Sequence, residues 1–393
     1  MSSLFPDMRP ISFCAWLCAG VLFLTAVSDG LCGTMITPSV KARGTYDDSV
    51  LGKGESDLEI LLSPALQVVM EGEVASLSLT GRLDAFRYAE HSEYNRDNGH
   101  AGAELGYSLS ERTRLRMGVS WMRDHTVETE YAESGFVTES VPRNLYSVAP
   151  GLTVLVSERD ELAVDVSAQA VDYERAAYTD YRTLGSTATW SHALRNELWR
   201  VMGQAGVYLY RFDHPGGKTD QLVLTGLAGL SWRATEMLEF QMMGGISQTM
   251  SSVNLDRGED MEDKRLTFSG SLSATWTDEV WKLHVTADRS ESPSSYGELI
   301  TRDRLRAVFG RNLSERLYCS MQAAWYQSKT RGLVQDKDTQ TYLLGPVARY
   351  RLGEDVTVEG GYQFIREENR VSDKTTDRNK VYLNLSMDFP TDW

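Results

Sequence analysis

The sequence predicts an all-β fold, a single transmembrane antiparallel up-and-down β-barrel of about 18 strands, and three observations lead to it. Eight short polar turns, centred near Gly72, Glu111, Glu158, Asn196, Glu236, Asp278, Glu315 and Glu354, recur 37 to 47 residues apart. Two alternating strands fit between successive turns, and nine longer polar loops lie opposite them, so short and long connections alternate along the chain. That asymmetry is expected of a barrel with short periplasmic turns and long extracellular loops. The third observation is that the polar face of the strands carries too many charges for a dry core, where each would need a partner. A wet lumen accommodates them, which puts the apolar face against lipid.

The first element is a secretory signal over residues 1–28. Arg9 supplies a positive segment, with Met8 as an alternative start, and Ile11 to Val27 form an apolar stretch too short for a membrane span. Ala26-Val27-Ser28 offers a small-x-small cleavage site before Asp29, with cleavage after Cys32 or Gly33 as the alternative. Residues 29–393 then form one barrel domain, since no Pro/Ser/Gly linker interrupts the pattern. Cys14 and Cys18 lie in the signal and Cys32 at its edge, so only Cys319 is in the barrel and no disulfide framework or cysteine-based zinc site is available. A mean hydropathy of -0.34 suits a barrel, where only alternate strand residues face lipid. A net charge of -15 argues against nucleic acid as a partner.

In chain order the strands are expected near 36–46, 57–70, 74–88, 99–110, 113–123, 143–156, 161–174, 180–194, 197–212, 219–234, 237–249, 264–277, 280–290, 302–312, 316–329, 338–352, 355–367 and 377–389. Each is long enough for a tilted crossing of about 9–11 residues. An even count returns both termini to the periplasmic side. The alternation is cleanest where Leu266, Phe268, Gly270, Leu272, Ala274 and Trp276 oppose Thr267, Ser269, Ser271, Ser273 and Thr275. The same parity rule assigns Arg82, Asp84, Glu104, Arg116, Lys282, His284, Asp288, Arg306, Arg349, Arg351 and Glu359 to the lumen. Trp199, Trp232, Trp276, Trp281 and Tyr318 flank the short turns, and Tyr88, Trp121, Tyr210 and Trp325 approach the long loops, as two interfacial girdles would. Pro64, Pro150 and Pro346 each stand about eight residues before a short turn, which suggests a bulge or a water-satisfied site at one depth. A β-propeller also repeats near 40 residues, but its blades need four shorter strands per repeat.

No catalytic or cofactor constellation emerges. His91, His100, His125, His192, His214 and His284 fall in no metal-ligand pattern, and His284 with Asp288 and nearby serines defines no triad without geometry. Gly52-Lys53-Gly54 lacks the spacing of a phosphate loop. The acidic run Asp256 to Asp263 reads as a solvated loop, with Ca2+ or divalent-bridged lipopolysaccharide as the sharper alternative. The longest loop, 123–143, with Glu128, Glu130, Glu133, Glu139, Tyr131 and Phe136, either folds into the lumen or stands outside.

At the C-terminus Val381, Leu383, Leu385, Met387 and Phe389 alternate with Tyr382, Asn384, Ser386 and Asp388. This resembles the signal by which the barrel-assembly machinery recognises its clients. The ending Pro390-Thr391-Asp392-Trp393 departs from it, and aligning Trp393 with Phe389 is expected to need a kink at Pro390. Several further motifs resemble the outer-membrane β-barrel porin family found with exopolysaccharide and exosortase gene clusters. They are Thr37-Pro38-Ser39-Val40, Tyr46-Asp47-Asp48-Ser49 (with Ser49 where the family has Asn) and Ser63-Pro64-Ala65-Leu66. Ser-Glu-Arg turns at 110–112, 157–159 and 314–316, Tyr362-Gln363-Phe364, and Asn379-Lys380-Val381-Tyr382-Leu383-Asn384-Leu385 complete them. The resemblance covers residues 35–393 and points to no catalytic or binding residue. It implies a Gram-negative outer-membrane channel among lipids and lipopolysaccharide, passing a polar solute and exporting an exopolysaccharide with a periplasmic polysaccharide-export protein. A general diffusion porin and a non-conducting adhesin or structural barrel are the alternatives.

The parity assignment predicts that Leu272→Arg destabilises the barrel by about 2–4 kcal/mol, the cost of a lipid-facing cation at the midplane. Ser271→Arg should be tolerated. Urea unfolding of the refolded variants checks this, and equal tolerance at the two positions would overturn the assignment.

Overall fold

The computed structural model describes residues 33–127, 139–175, 178–214, 217–255, 261–295, 297–331 and 336–392. The expected signal segment 1–28, most of the 123–143 loop, Asp256 to Asp260 of the acidic run and Trp393 lie outside the described residues. The strands are β1 (Gly33–Asp47), β2 (Asp57–Glu71), β3 (Ala75–Tyr88), β4 (Arg96–Ser110), β5 (Thr113–His125) and β6 (Pro142–Leu155). Next come β7 (Asp160–Tyr173), β8 (Asp180–Ala193), β9 (Trp199–His214), β10 (Gly217–Arg233), β11 (Leu238–Leu255) and β12 (Met261–Thr277). The last are β13 (Trp281–Pro293), β14 (Leu299–Asn312), β15 (Leu317–Arg331), β16 (Asp336–Arg351), β17 (Val356–Asn369) and β18 (Lys374–Asp388), with a two-residue continuation β19 (Thr391–Asp392). Each strand pairs antiparallel with its chain neighbours, and β18 closes on β1, giving a barrel of 18 strands.

Every expected strand has its counterpart, and the differences gather at the long-loop ends. β11 was expected to stop at 249 and runs to Leu255. Strands there rise beyond the lipid band, so the apolar half of the alternation disappears while the hydrogen-bonded ladder continues. Within the band the two faces separate as the parity rule requires. Leu266, Phe268 and Leu272 are exposed on the outer surface, while their neighbour Ser269 is buried on the inner one.

The three Ser-Glu-Arg turns share one device. Ser110 Oγ accepts the Arg112 amide at 3.3 Å, Ser157 Oγ accepts Arg159 at 3.2 Å, and Ser314 Oγ accepts Arg316 at 3.3 Å. A serine that hydrogen-bonds the backbone two residues on stabilises a tight turn without glycine. Pro64, Pro150 and Pro346 all project on the lipid side of β2, β6 and β16. Each keeps its pairing with the preceding strand and interrupts the ladder with the following one for two residue pairs, after which the same register resumes. The expected bulge is therefore absent at these positions; the missing N–H opens the ladder without shifting it. Pro390 behaves similarly. Thr391 and Asp392 pair with Ile36 and Met35 in the register of Ser39 with Asp388, so the pairing passes Pro390 unshifted.

The girdles need correction. Trp199, Trp232, Trp276, Trp281, Trp121 and Trp325 are on the outer face, with Trp199 stacked on Trp232 at 5.1 Å. Tyr88, Tyr210 and Tyr318 are on the inner one, where Tyr88 Oη donates to Glu59 at 2.6 Å and Tyr318 lies over Gly310. Nearness to a strand end does not reveal face for an amphipathic ring; parity does.

The seam between β1 and β18 is latched near the long-loop end. Arg378 Nε donates to both Asp47 oxygens at 2.9 and 3.0 Å, and both side chains are buried. Beside it Asn379 donates to Asp48 from its backbone at 2.7 Å and from Nδ2 at 2.6 Å. Asp47→Ala should cost about 3–5 kcal/mol, because it strands a buried guanidinium. Urea unfolding followed by tryptophan fluorescence checks this, with the D47A/R378A double variant expected to recover part of the loss.

Candidate lumen and its constriction

Ring closure gives the inner wall two chemically different halves. Across β8 to β12, register aligns Thr187, Gly206, Thr225, Ser247 and Thr267 in one row, and Thr189, Gln204, Leu227, Gly245 and Ser269 in the next. These rows carry no charge and bond among themselves, with Gln204 donating to Thr189 at 3.1 Å and Ser247 and Ser269 sharing a hydrogen at 2.7 Å. Across β14 to β18 and β1 to β4 the wall is basic. There a cavity of about 790 Å3 is lined by seven cationic side chains, including Lys41, Arg43, Arg82, Arg306 and Lys380, and by three acidic ones, Glu59, Asp84 and Asp388.

Most of these charges are committed to each other. Glu59 accepts from Arg43 at 3.3 Å and Arg96 at 3.2 Å, while Arg82 pairs with Asp84 at 3.1 Å. Asp84 also takes the hydroxyl of Ser63. Two cations stand apart. Among the described residues Lys41 has no carboxylate within ion-pair distance, and Arg306 is held by the Tyr326 hydroxyl at 3.1 Å rather than by an acid.

The residues assigned to the lumen from sequence fall into separate groups. Arg82, Asp84 and Arg306 line the basic cavity. Glu104 and Arg116 line a second cavity of about 790 Å3 near the short turns, where Arg116 pairs with Asp165 at 2.9 Å. Arg349 pairs with Glu359 at 2.7 Å, and Asp288 with Arg304 at 2.9 Å. His284 Nδ1 is 2.9 Å from Thr275 Oγ1, beside Lys282, and Arg351 reaches the Glu315 carbonyl at the short-turn rim. His284 and Asp288 therefore have different partners and form no hydrolytic pair. Lys41, Arg43, Glu59, Arg96, Arg378 and Lys380 also line the basic cavity and were not among the residues expected in the lumen. The alternation of Lys41, Arg43, Thr45 and Asp47 on β1 carried the necessary signal.

The long-loop end contains a constriction that periodicity did not announce. β12 pairs with β13 only as far as Gly270 with Arg289, whereas β13 continues with β14 to Pro293 and Leu299. The end of this hairpin thus leaves the wall. Alternation from Leu283 and Val285 would point Glu291 at lipid. Instead it turns inward and accepts from Thr249 at 2.5 Å, Arg265 at 2.7 Å and Thr267 at 3.2 Å. The tip then crosses to β7–β10, where Leu299, 3% exposed, packs among Val171, Tyr181, Tyr210, Phe212 and Val223. The Ser295 carbonyl accepts the Thr179 amide at 2.8 Å. Gly297 has φ +85° and faces the His214 ring so closely that a Cβ would lie 1.9 Å from Cε1. Glycine meets both demands. The 123–143 loop also contributes, since Val127 lines the basic cavity.

Loop contacts steady the rim. The backbone amides of Glu90 and His91 donate to the Asp57 carboxylate, which also lies 3.0 Å from His91 Nδ1 and holds that imidazole above its ordinary range. Among the described residues no group of three His, Cys, Asp or Glu side chains is placed to hold a metal.

No family model matches the chain, and no curated protein matches it. Solved structures do. The ferric citrate transporter FecA aligns at 11% identity over 86% of this chain and 60% of its own, with a TM-score of 0.50. The FrpB iron transporter from Neisseria meningitidis aligns at 11% over 88% and 63%, also at 0.50, so this chain spans under two thirds of either. The outer membrane protein opdK from Pseudomonas aeruginosa aligns at 12% over 92% and 99%, at 0.47. At such identities the likeness is one of fold, that of an outer-membrane β-barrel.

Burying Leu299 contributes about 1.5–3 kcal/mol to docking of the tip. Leu299→Asp should therefore release it, raising single-channel conductance while the barrel keeps its heat-modifiable mobility on gels. Unchanged conductance in a folded variant would mean that the tip does not limit the passage.

Proposed function

We propose that the chain is an outer-membrane channel that passes a polar solute passively, with an exopolysaccharide as the favoured cargo. The observation that carries this is the pair of polar cavities inside the ring, one beneath the long loops and one at the short turns. A sheet closed around polar walls supplies a path that neither lipid nor a packed core provides. In this reading the leader is removed on export, the short turns and both termini face the periplasm, and the barrel-assembly machinery inserts the protein among lipids and lipopolysaccharide. The exopolysaccharide cargo is supported by the sequence resemblance and by the hydroxyl and amide groups of the β8–β12 wall. A periplasmic polysaccharide-export protein is the corresponding partner. Weak discrimination among small polar solutes would instead make it a general diffusion porin.

The docked hairpin favours one further reading, a closed barrel acting as an adhesin or structural wall protein. Single-channel recording of the refolded protein in a planar bilayer separates the two. Stable current steps are expected. A folded barrel that stays silent would put the closed-barrel reading first.

A further inference from the structure

We propose that the basic cavity is a binding site for an acidic oligosaccharide, a sugar chain bearing carboxylates. The proposal rests on the channel reading for its cargo, while its chemistry comes from the cavity wall. Three observations converge. The chain carries a net charge of -15, yet the side chains lining this cavity hold four more positive than negative charges. Such a reversal inside an acidic protein focuses anions where low-dielectric walls surround the charge.

The surplus also has free members. Arg43, Arg82 and Arg96 are matched to Glu59 or Asp84, and Arg378 to Asp47. Lys41 on β1 and Arg306 on β14 line the same space with no carboxylate within ion-pair distance among the described residues. The Tyr326 hydroxyl orients the Arg306 fork, which suits carboxylate recognition.

The space between the cations identifies the rest of the ligand. Gln322, Gln363, Ser39 and Ser386 line it, offering donors and acceptors at the scale of sugar hydroxyls. A small inorganic anion needs donors converging on one point. Here the cations spread over several strands around about 790 Å3, a volume within the roughly 300–1,000 Å3 of ligand sites. An extended acidic glycan satisfies separated charges and intervening hydroxyls together.

Isothermal titration of the refolded barrel in detergent micelles, with hexagalacturonate and maltohexaose as probes, tests the site. The acidic hexamer should bind at least about tenfold more tightly than the neutral one, with affinity falling as salt rises. The K41Q/R306Q variant should lose about tenfold or more, as expected for removing charge-assisted hydrogen bonds, while K41R keeps most of the affinity. Equal binding of the two hexamers, binding of neither, or full affinity in a folded K41Q/R306Q variant would overturn the proposal. A barrel silent in bilayers that still binds the acidic hexamer would retire conduction and leave the site. A conducting barrel blind to sugar charge would retire the site and leave the channel.

Discussion

A β-sheet in lipid has no water to satisfy its edges, so the pairing of β1 with β18 is the contact on which the other seventeen hairpin contacts depend. It is also the contact between the most distant parts of the chain. Asp47 and Arg378, then Asp48 and Asn379, lock it over a sequence separation of 331 residues. Three of these four residues, Asp47, Asp48 and Asn379, belong to the motifs by which the sequence resembles a porin family, and Arg378 stands immediately before the second of them. Their physical meaning is closure. Ser49 adds to it, accepting the Gly54 amide at 2.9 Å and shaping the first long loop above the latch.

Closure turns a period of two into an inside and an outside. Once the ring exists, polar residues of one alternating strand come opposite those of its neighbours, and many pair. Arg349 with Glu359 and Arg116 with Asp165 illustrate the result. Such exposed lumen pairs are worth little individually. Their distribution matters more: cations accumulate on the β14–β4 side, and hydroxyls on β8–β12. That division gives the inner wall a basic side that the acidic overall charge would not suggest.

The hairpin of β13 and β14 shows how a barrel can narrow itself with a segment of its own wall. Pairing with β12 ends at Arg289, and the freed segment finds two compensations. Glu291 exchanges lipid exposure for three donors, and Leu299 exchanges solvent for an apolar cluster on β7–β10. Gly297 allows the close approach. Each interaction is modest, so the docked tip is held by their combination.

The alternation of Leu266 to Trp276, the short turns built on Ser110, Ser157 and Ser314, and the count of eighteen strands were all legible in the sequence, because each depends on residues within one strand or one turn. The lumen parity of Arg82 or Asp288 follows from the same local rule. What the sequence could not determine is which of these charges meet. Length and charge left open whether the 123–143 loop enters the lumen, and nothing in the periodicity of β13 and β14 announced that their hairpin tip leaves the wall to pack on β7–β10. Lys41 and Arg306 lie far apart in the chain and come to one cavity because β18 closes on β1 and the β14–β18 wall curves round to it. Face is a property of neighbouring residues; convergence is a property of the closed ring, and it exists only in the tertiary structure.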